Sequence, residues 1–184
     1  MKYLNVLFVM MAMIAFACGD DDVENPNPPN EEEVITTVTL TFTPATGPVI
    51  TATWKDEDGD GGNPPSQKDE IILDDATTYD MTVTFLNESD PTDVEDITEE
   101  IDEEDDEHQV FYTGTAIGTI ADYAYGDMDD NMNPVGLSGT LTTTATGTGK
   151  FTVTLKHQPG VKSATSGITD GDTDVEVEFD MTVQ

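Results

Sequence analysis

The chain reads as an all-β protein, an antiparallel β-sandwich of general immunoglobulin/fibronectin architecture with at most one short helix. Three features of the 184 residues point there. Apolar residues recur with period two from Val34 onward, Thr, Asp and Glu fill the alternate positions, and clusters of Gly, Pro, Asn and Asp punctuate the runs. Period two puts one face of each strand in a core and the other in water.

The elements follow in order. Val38, Leu40 and Phe42 alternate with Thr37, Thr39 and Thr41, and Ile50, Ala52 and Trp54 with Thr51 and Thr53. Tyr79, Met81, Val83 and Phe85 alternate with Asp80, Thr82 and Thr84. Phe151, Val153, Leu155 and His157 alternate with Thr152, Thr154 and Lys156, and Val175, Val177, Phe179, Met181 and Val183 with Asp174, Glu176, Glu178, Asp180 and Thr182. Weaker runs lie at 109–113, 116–124 and 137–145, which makes about eight strands rich in β-branched and aromatic residues. The one helical signal is Asp96-Ile-Thr-Glu99, an N-cap with a carboxylate three positions on, so a short helix is expected near 96–105. Eight strands with little helix argue for two packed sheets. Leu73-Asp-Asp-Ala-Thr77-Thr-Tyr79 resembles the tyrosine corner of fibronectin-type sandwiches.

The sandwich occupies 34–184, and the chain before it reads as address and tether. Met1 and Lys2 precede the apolar run 3–17, the length of a signal h-region and short of the ~20 residues a transmembrane helix needs. The run ends Ala15-Phe16-Ala17-Cys18, which resembles a lipobox, so 1–17 is expected to be removed and Cys18 acylated. The alternative is a soluble secreted protein cut after Ala17. Cys18 is the only cysteine, so no intrachain disulfide competes for it. Residues 18–33 carry three Asp, four Glu and several Pro and Asn, which suits an extended acidic tether. Gly19 follows the cysteine, and acids just beyond it resemble the surface-export signal of some gram-negative lipoproteins. The expected location is the outer membrane, lipid-anchored through Cys18 and facing the periplasm or the cell surface.

Charge excludes several functions. Thirty-nine Asp and Glu against six lysines, with no arginine, give a formal net charge of −33. The chain therefore has little with which to neutralise nucleic-acid phosphates or to adsorb to an anionic bilayer, and it attracts cations. Asp56-Glu-Asp58-Gly-Asp60-Gly61 is the sharpest motif, matching D-x-D-x-D-G, the first half of a calcium loop. Asp56, Asp58 and Asp60 converge on one hard cation in that reading, with Asp69 or Glu70 completing the shell. Gln67 replaces the bidentate Glu of an EF-hand, and the competing reading is a solvated acidic turn. Asp170-Gly-Asp172-Thr-Asp174 and Asp127-Met-Asp129-Asp130-Asn131 are looser variants.

Both histidines precede a glutamine, in Glu107-His108-Gln109 and Lys156-His157-Gln158, and His108 follows the acidic run 99–107. If the fold brought His108, His157 and a carboxylate such as Glu104 together, they would suit zinc or another divalent transition metal. Without cysteine ligands or HExxH-type spacing, the residues alone favour two strand-end histidines held by hydrogen bonds. No nucleophile elbow or phosphate loop is present, so the chain reads as a non-enzyme.

The stretches EEEVITTVT, WKDEDGDGG, TTYDMTVTFLNES, DITEEIDEEDDEHQVFY and LKHQPGVKS resemble a family of small acidic bacterial lipoproteins often labelled "type 1 periplasmic binding fold superfamily protein". That label implies a ligand-binding periplasmic fold, with repeated strand–helix alternation over a chain well beyond the 184 − 17 = 167 residues left after cleavage. The residue pattern implies a sandwich instead. The leading functional expectation is a surface or periplasmic lipoprotein whose calcium-stabilised sandwich serves as a binding or accessory module. The second is a transition-metal capture protein assisting an outer-membrane transporter through His108 and His157, and the third a structural surface-coat lipoprotein.

Overall fold

The computed structural model describes residues 33–57 and 62–184. The expected signal segment 1–17, Cys18 and most of the tether lie outside the described residues, as do Asp58 and Asp60.

The described chain is an all-β sandwich with one short helix. Its strands are β1 (Thr37–Pro44), β2 (Ile50–Lys55), β3 (Gln67–Lys68), β4 (Ile71–Leu73), β5 (Thr78–Asn87), β6 (Glu95–Asp96), β7 (His108–Thr113), β8 (Ala121–Tyr125), β9 (Ser138–Thr143), β10 (Gly147–His157) and β11 (Asp172–Val183). Helix α1 (Ile97–Glu103) stands between β6 and β7. One sheet runs β3-β2-β1-β5-β9-β8, with β6 also on β5, and the other runs β4-β11-β10-β7. Pairing is antiparallel throughout except between β4 and β11.

The five strong period-two runs all became strands with the expected faces inward. Val38, Leu40 and Phe42 of β1 lie opposite Phe85, Val83 and Met81 of β5, and all six are buried. Phe151 and Val153 of β10 lie opposite Phe179 and Val177 of β11 in the other sheet, again buried. Strands β3, β4 and β6 were not expected, because two or three residues are too short to show a period. The run 116–124 is a strand only from Ala121. Before it the chain turns, and the Ala116 carbonyl accepts from the N–H groups of Thr119, Ile120 and Ala121.

Helix α1 starts where its cap predicts. The Asp96 carboxylate accepts from the Thr98 N–H, and Glu99 and Glu100 occupy the first turn, where the helix dipole favours acids. Ile97 and Ile101, four apart, bury the inner face.

The tyrosine corner is present and bridges the two sheets. Between β4 of one sheet and β5 of the other, the buried Tyr79 hydroxyl accepts from the Asp74 N–H at 2.9 Å. Thr143 Oγ1 donates to the Asp74 carbonyl at 2.8 Å and accepts from the Thr77 N–H at 2.9 Å. Phe42 meets the Tyr79 ring edge-on, centroids 6.2 Å apart. Tyr79→Phe removes the acceptor and strands the Asp74 N–H, an expected cost of roughly 1–2 kcal/mol, read as a lower urea midpoint at unchanged slope. An unchanged midpoint would show that solvent replaces the phenol there.

Candidate metal centre

His108 opens β7 and His157 closes β10, and the antiparallel register sets them directly opposite each other. Adjacent strands hold opposed side chains on one face within a few ångströms. The imidazoles stack, centroids 4.5 Å apart and planes 8° from parallel. His108 is 1% exposed and His157 8%.

The turn after α1 supplies the surrounding polar groups. The Glu104 carbonyl accepts from the backbone N–H groups of Glu107 and His108, and it lies 3.2 Å from His108 Nδ1. A carbonyl only accepts, so Nδ1 carries the proton and Nε2 keeps its lone pair. His157 Nε2 lies 3.3 Å from the Glu107 carboxylate, which makes Nε2–H the donor; in the neutral ring the lone pair is then on Nδ1. These two lone-pair nitrogens, His108 Nε2 and His157 Nδ1, are buried and have no hydrogen-bond partner among the described residues.

Glu104, exposed at the helix end, completes the set. One ligand atom from each of Glu104, His108 and His157 lies within 4.8 Å of the others, the one such cluster among the described residues. Tetrahedral ligands at 2.0–2.1 Å from a metal stand roughly 3.3 Å apart, so binding requires these side chains to close by up to roughly 1.5 Å, and the stacked rings to tilt, because an imidazole lone pair lies in its ring plane. Each imidazole already donates its other N–H to an oxygen, one to a carbonyl and one to a carboxylate. That is the arrangement which orients metal-ligating histidines.

The electrostatics favour the neutral form of the His108 ring. Burial, then the neighbouring His157, pushes His108 down from 6.5 to about 4. Near α1, burial and the adjacent Glu100, Asp174 and Glu104 push Glu33 up from 4.5 to about 7. Glu33 also lines a cleft of about 540 Å³ with Trp54, Asp56, Asp174 and Glu176.

Packing clamps the β10–β11 connection against this turn. The Gln158 N–H donates to the Glu107 carbonyl at 2.6 Å, and Gln158 Nε2 donates to the carbonyls of Gly167 and Asp170. Gly171 sits at φ +71°, where a Cβ would come 2.1 Å from the His157 carbonyl oxygen, so only glycine fits.

Sequence reasoning named Glu104, His108 and His157 but ranked the metal reading below hydrogen-bonded histidines, because nothing local says that positions 49 apart share a strand register. It missed Glu107 as the partner of His157. The repeated His-Gln pair was the only available signal.

Of the calcium motif's three aspartates, only Asp56 lies among the described residues. Asp56 is buried beside β2, its N–H donating to the Thr36 carbonyl at 2.8 Å, while Asp58 and Asp60 lie outside the described residues. The two residues expected to complete that shell are engaged elsewhere. Asp69 Oδ2 accepts from the Thr53 N–H and from Gln67 Nε2, and Glu70 Oε1 accepts from the Thr182 hydroxyl. In the looser motif, Asp127 accepts from the N–H groups of Gly136 and Ser138, and the Lys162 ammonium pairs with Asp129 where a cation would stand. No family model, curated protein or solved structure matches the chain.

The His108 shift predicts an acid-labile fold. A base whose folded value lies below its unfolded value stabilises the fold above pH 6.5, and that stability is lost as pH falls toward 4. Glu33, raised in the fold, acts in the opposite sense: its contribution is present below 4.5 and lost as pH rises through about 7. The difference between wild type and His108→Gln isolates the imidazole. Denaturant titrations at pH 7.5 and 4 are expected to show wild type losing on the order of 3 kcal/mol more than the variant. Parallel losses would remove His108 as the cause.

Proposed function

We propose that the protein is a lipid-anchored binding protein for a divalent transition metal, held at the outer membrane through acylated Cys18 and serving metal capture for a partner in that membrane. The observation that carries the reading is the pair of buried, unpartnered imidazole nitrogens, His108 Nε2 and His157 Nδ1, beside the Glu104 carboxylate. Two nitrogens and one carboxylate suit zinc, cobalt, nickel or copper(II) far better than calcium, which takes six to eight oxygens. Three protein ligands leave a fourth position for water or an incoming ligand. That is the pattern of an exchangeable site rather than a closed structural one. The −33 charge supports the reading by concentrating cations at the surface.

Calorimetric titration of the purified protein with zinc tests this. One site is expected, with binding lost in His108→Ala and in His157→Ala and little competition from calcium. Glu107→Gln, which weakens the orientation of His157, is expected to lower affinity roughly 10–100-fold without removing the site. Zinc affinity unchanged in both histidine variants would overturn the assignment. A thermal shift with calcium alone, insensitive to both histidine variants, would favour the Asp56, Asp58, Asp60 loop, and silence with every ion would favour the structural surface-coat reading.

A further inference from the structure

A second buried polar group stands near the metal centre and shares none of its ligands. Lys162, from the β10–β11 connection, and Asp129, from the β8–β9 connection, form an ion pair, Nζ to Oδ2 3.2 Å, with side chains 1% and 0% exposed. Asn133, 8% exposed, donates from Nδ2 to the same Oδ2, also at 3.2 Å. The other carboxylate oxygen is held by the N–H groups of Asn131 and Asn133 at 2.9 and 2.8 Å. The carboxylate is therefore fixed, and one of its oxygens touches both an amine and a carboxamide nitrogen.

As an ion pair alone this arrangement has little to recommend it, since desolvating two charges offsets most of their attraction. It also gathers a set of reactants: Lys162 Nζ and Asn133 Nδ2 each lie 3.2 Å from Asp129 Oδ2, so the amine has only to close on the carboxamide carbon from the far side of one shared oxygen. A primary amine is the nucleophile, a carboxamide carbon the electrophile, and a carboxylate in contact with both nitrogens can move protons between them. Close placement with restricted motion substitutes for concentration in such a reaction.

The geometry points to an intramolecular isopeptide bond between Lys162 Nζ and Asn133 Cγ, formed by the chain itself with Asp129 as proton carrier. Asp129 Oδ2 takes one proton from the lysine ammonium, and the freed Nζ lone pair attacks Cγ. Asp129 then gives that proton to Nδ2 and takes a second one from Nζ as the Cγ–Nδ2 bond breaks. Ammonia departs and carries away the proton left on Asp129. The sum is an ammonium and a carboxamide converted to a secondary amide and an ammonium ion. No oxidant, metal or second molecule enters. Each chain reacts once, so a slow proton transfer suffices.

The bond would join the β8–β9 connection of one sheet to the β10–β11 connection of the other. It would supply a covalent tie between sheets in a chain whose single cysteine excludes a disulfide within the chain. It also replaces a buried ammonium with a neutral amide.

Peptide mapping of the full-length, natively folded protein tests the proposal directly. Chymotrypsin sites at Phe151 and Leu155 separate Asn133 from Lys162. The expected product is one branched peptide holding both residues, lighter by one ammonia than the two separate peptides. Asp129→Asn and Lys162→Arg are each expected to yield the two peptides unlinked. Unlinked, unmodified peptides from folded wild type would overturn the proposal, and the wild-type result needs no variant to fold. A link that persists in Asp129→Asn would overturn the role given to Asp129.

Discussion

The register between β7 and β10 is the constraint on which the candidate site depends. Val110, Tyr112, Val153 and Leu155 must all face the core, and their pairing, Leu155 with Val110 and Val153 with Tyr112, fixes His157 opposite His108. A slip of one residue would turn every one of these side chains to the other face. The histidine pair is thus positioned by apolar side chains that touch no metal. Two buried imidazoles with unpartnered nitrogens carry a desolvation cost, and the hydrophobic pairing on either side holds them in place regardless.

The acidic charge is arranged around that constraint rather than spread evenly. Strand acids such as Glu176, Glu178 and Asp180 point outward. Lys150 crosses from β10 to meet Glu178 and Asp180 at 2.9 and 2.7 Å, an exposed contact that contributes little to stability but relieves repulsion between neighbours. The acids after α1 are closer to chemistry. Glu104 and Glu107 lie beside the imidazoles, while the Asp105 carbonyl accepts from Lys162. The seven residues of α1 and the turn that follows it therefore bring the acidic run to both buried polar assemblies. Lys162, one of only six lysines, is spent in the interior, which implies a specific use.

Legibility in the sequence followed element length and the range of the interactions involved. Strands of six or more residues with full alternation, such as β1, β5 and β11, were evident because period two is a local property. The helix start was evident because a cap and its carboxylates lie within four residues. The corner at Tyr79 was evident for the same reason, as its hydroxyl reaches back only to Asp74. The two-residue strands β3 and β6 were not, since their pairing is decided by the neighbours β2 and β5. The loop at Asp127–Asn133 looked like a loose cation site, and only the arrival of Lys162 from 29 residues beyond Asn133 showed what fills it.

The sequence by itself determined an all-β sandwich, a cap, a corner and a strongly acidic composition. All of these rest on patterns within a few residues or on total charge. Only the tertiary structure decided that His108 meets His157, that Glu107 orients one of them, and that Lys162, Asp129 and Asn133 converge. Those contacts join residues up to 50 positions apart. Such meetings depend on strand register and loop packing, which are settled by the summed burial of many apolar side chains and leave no mark at the positions that meet.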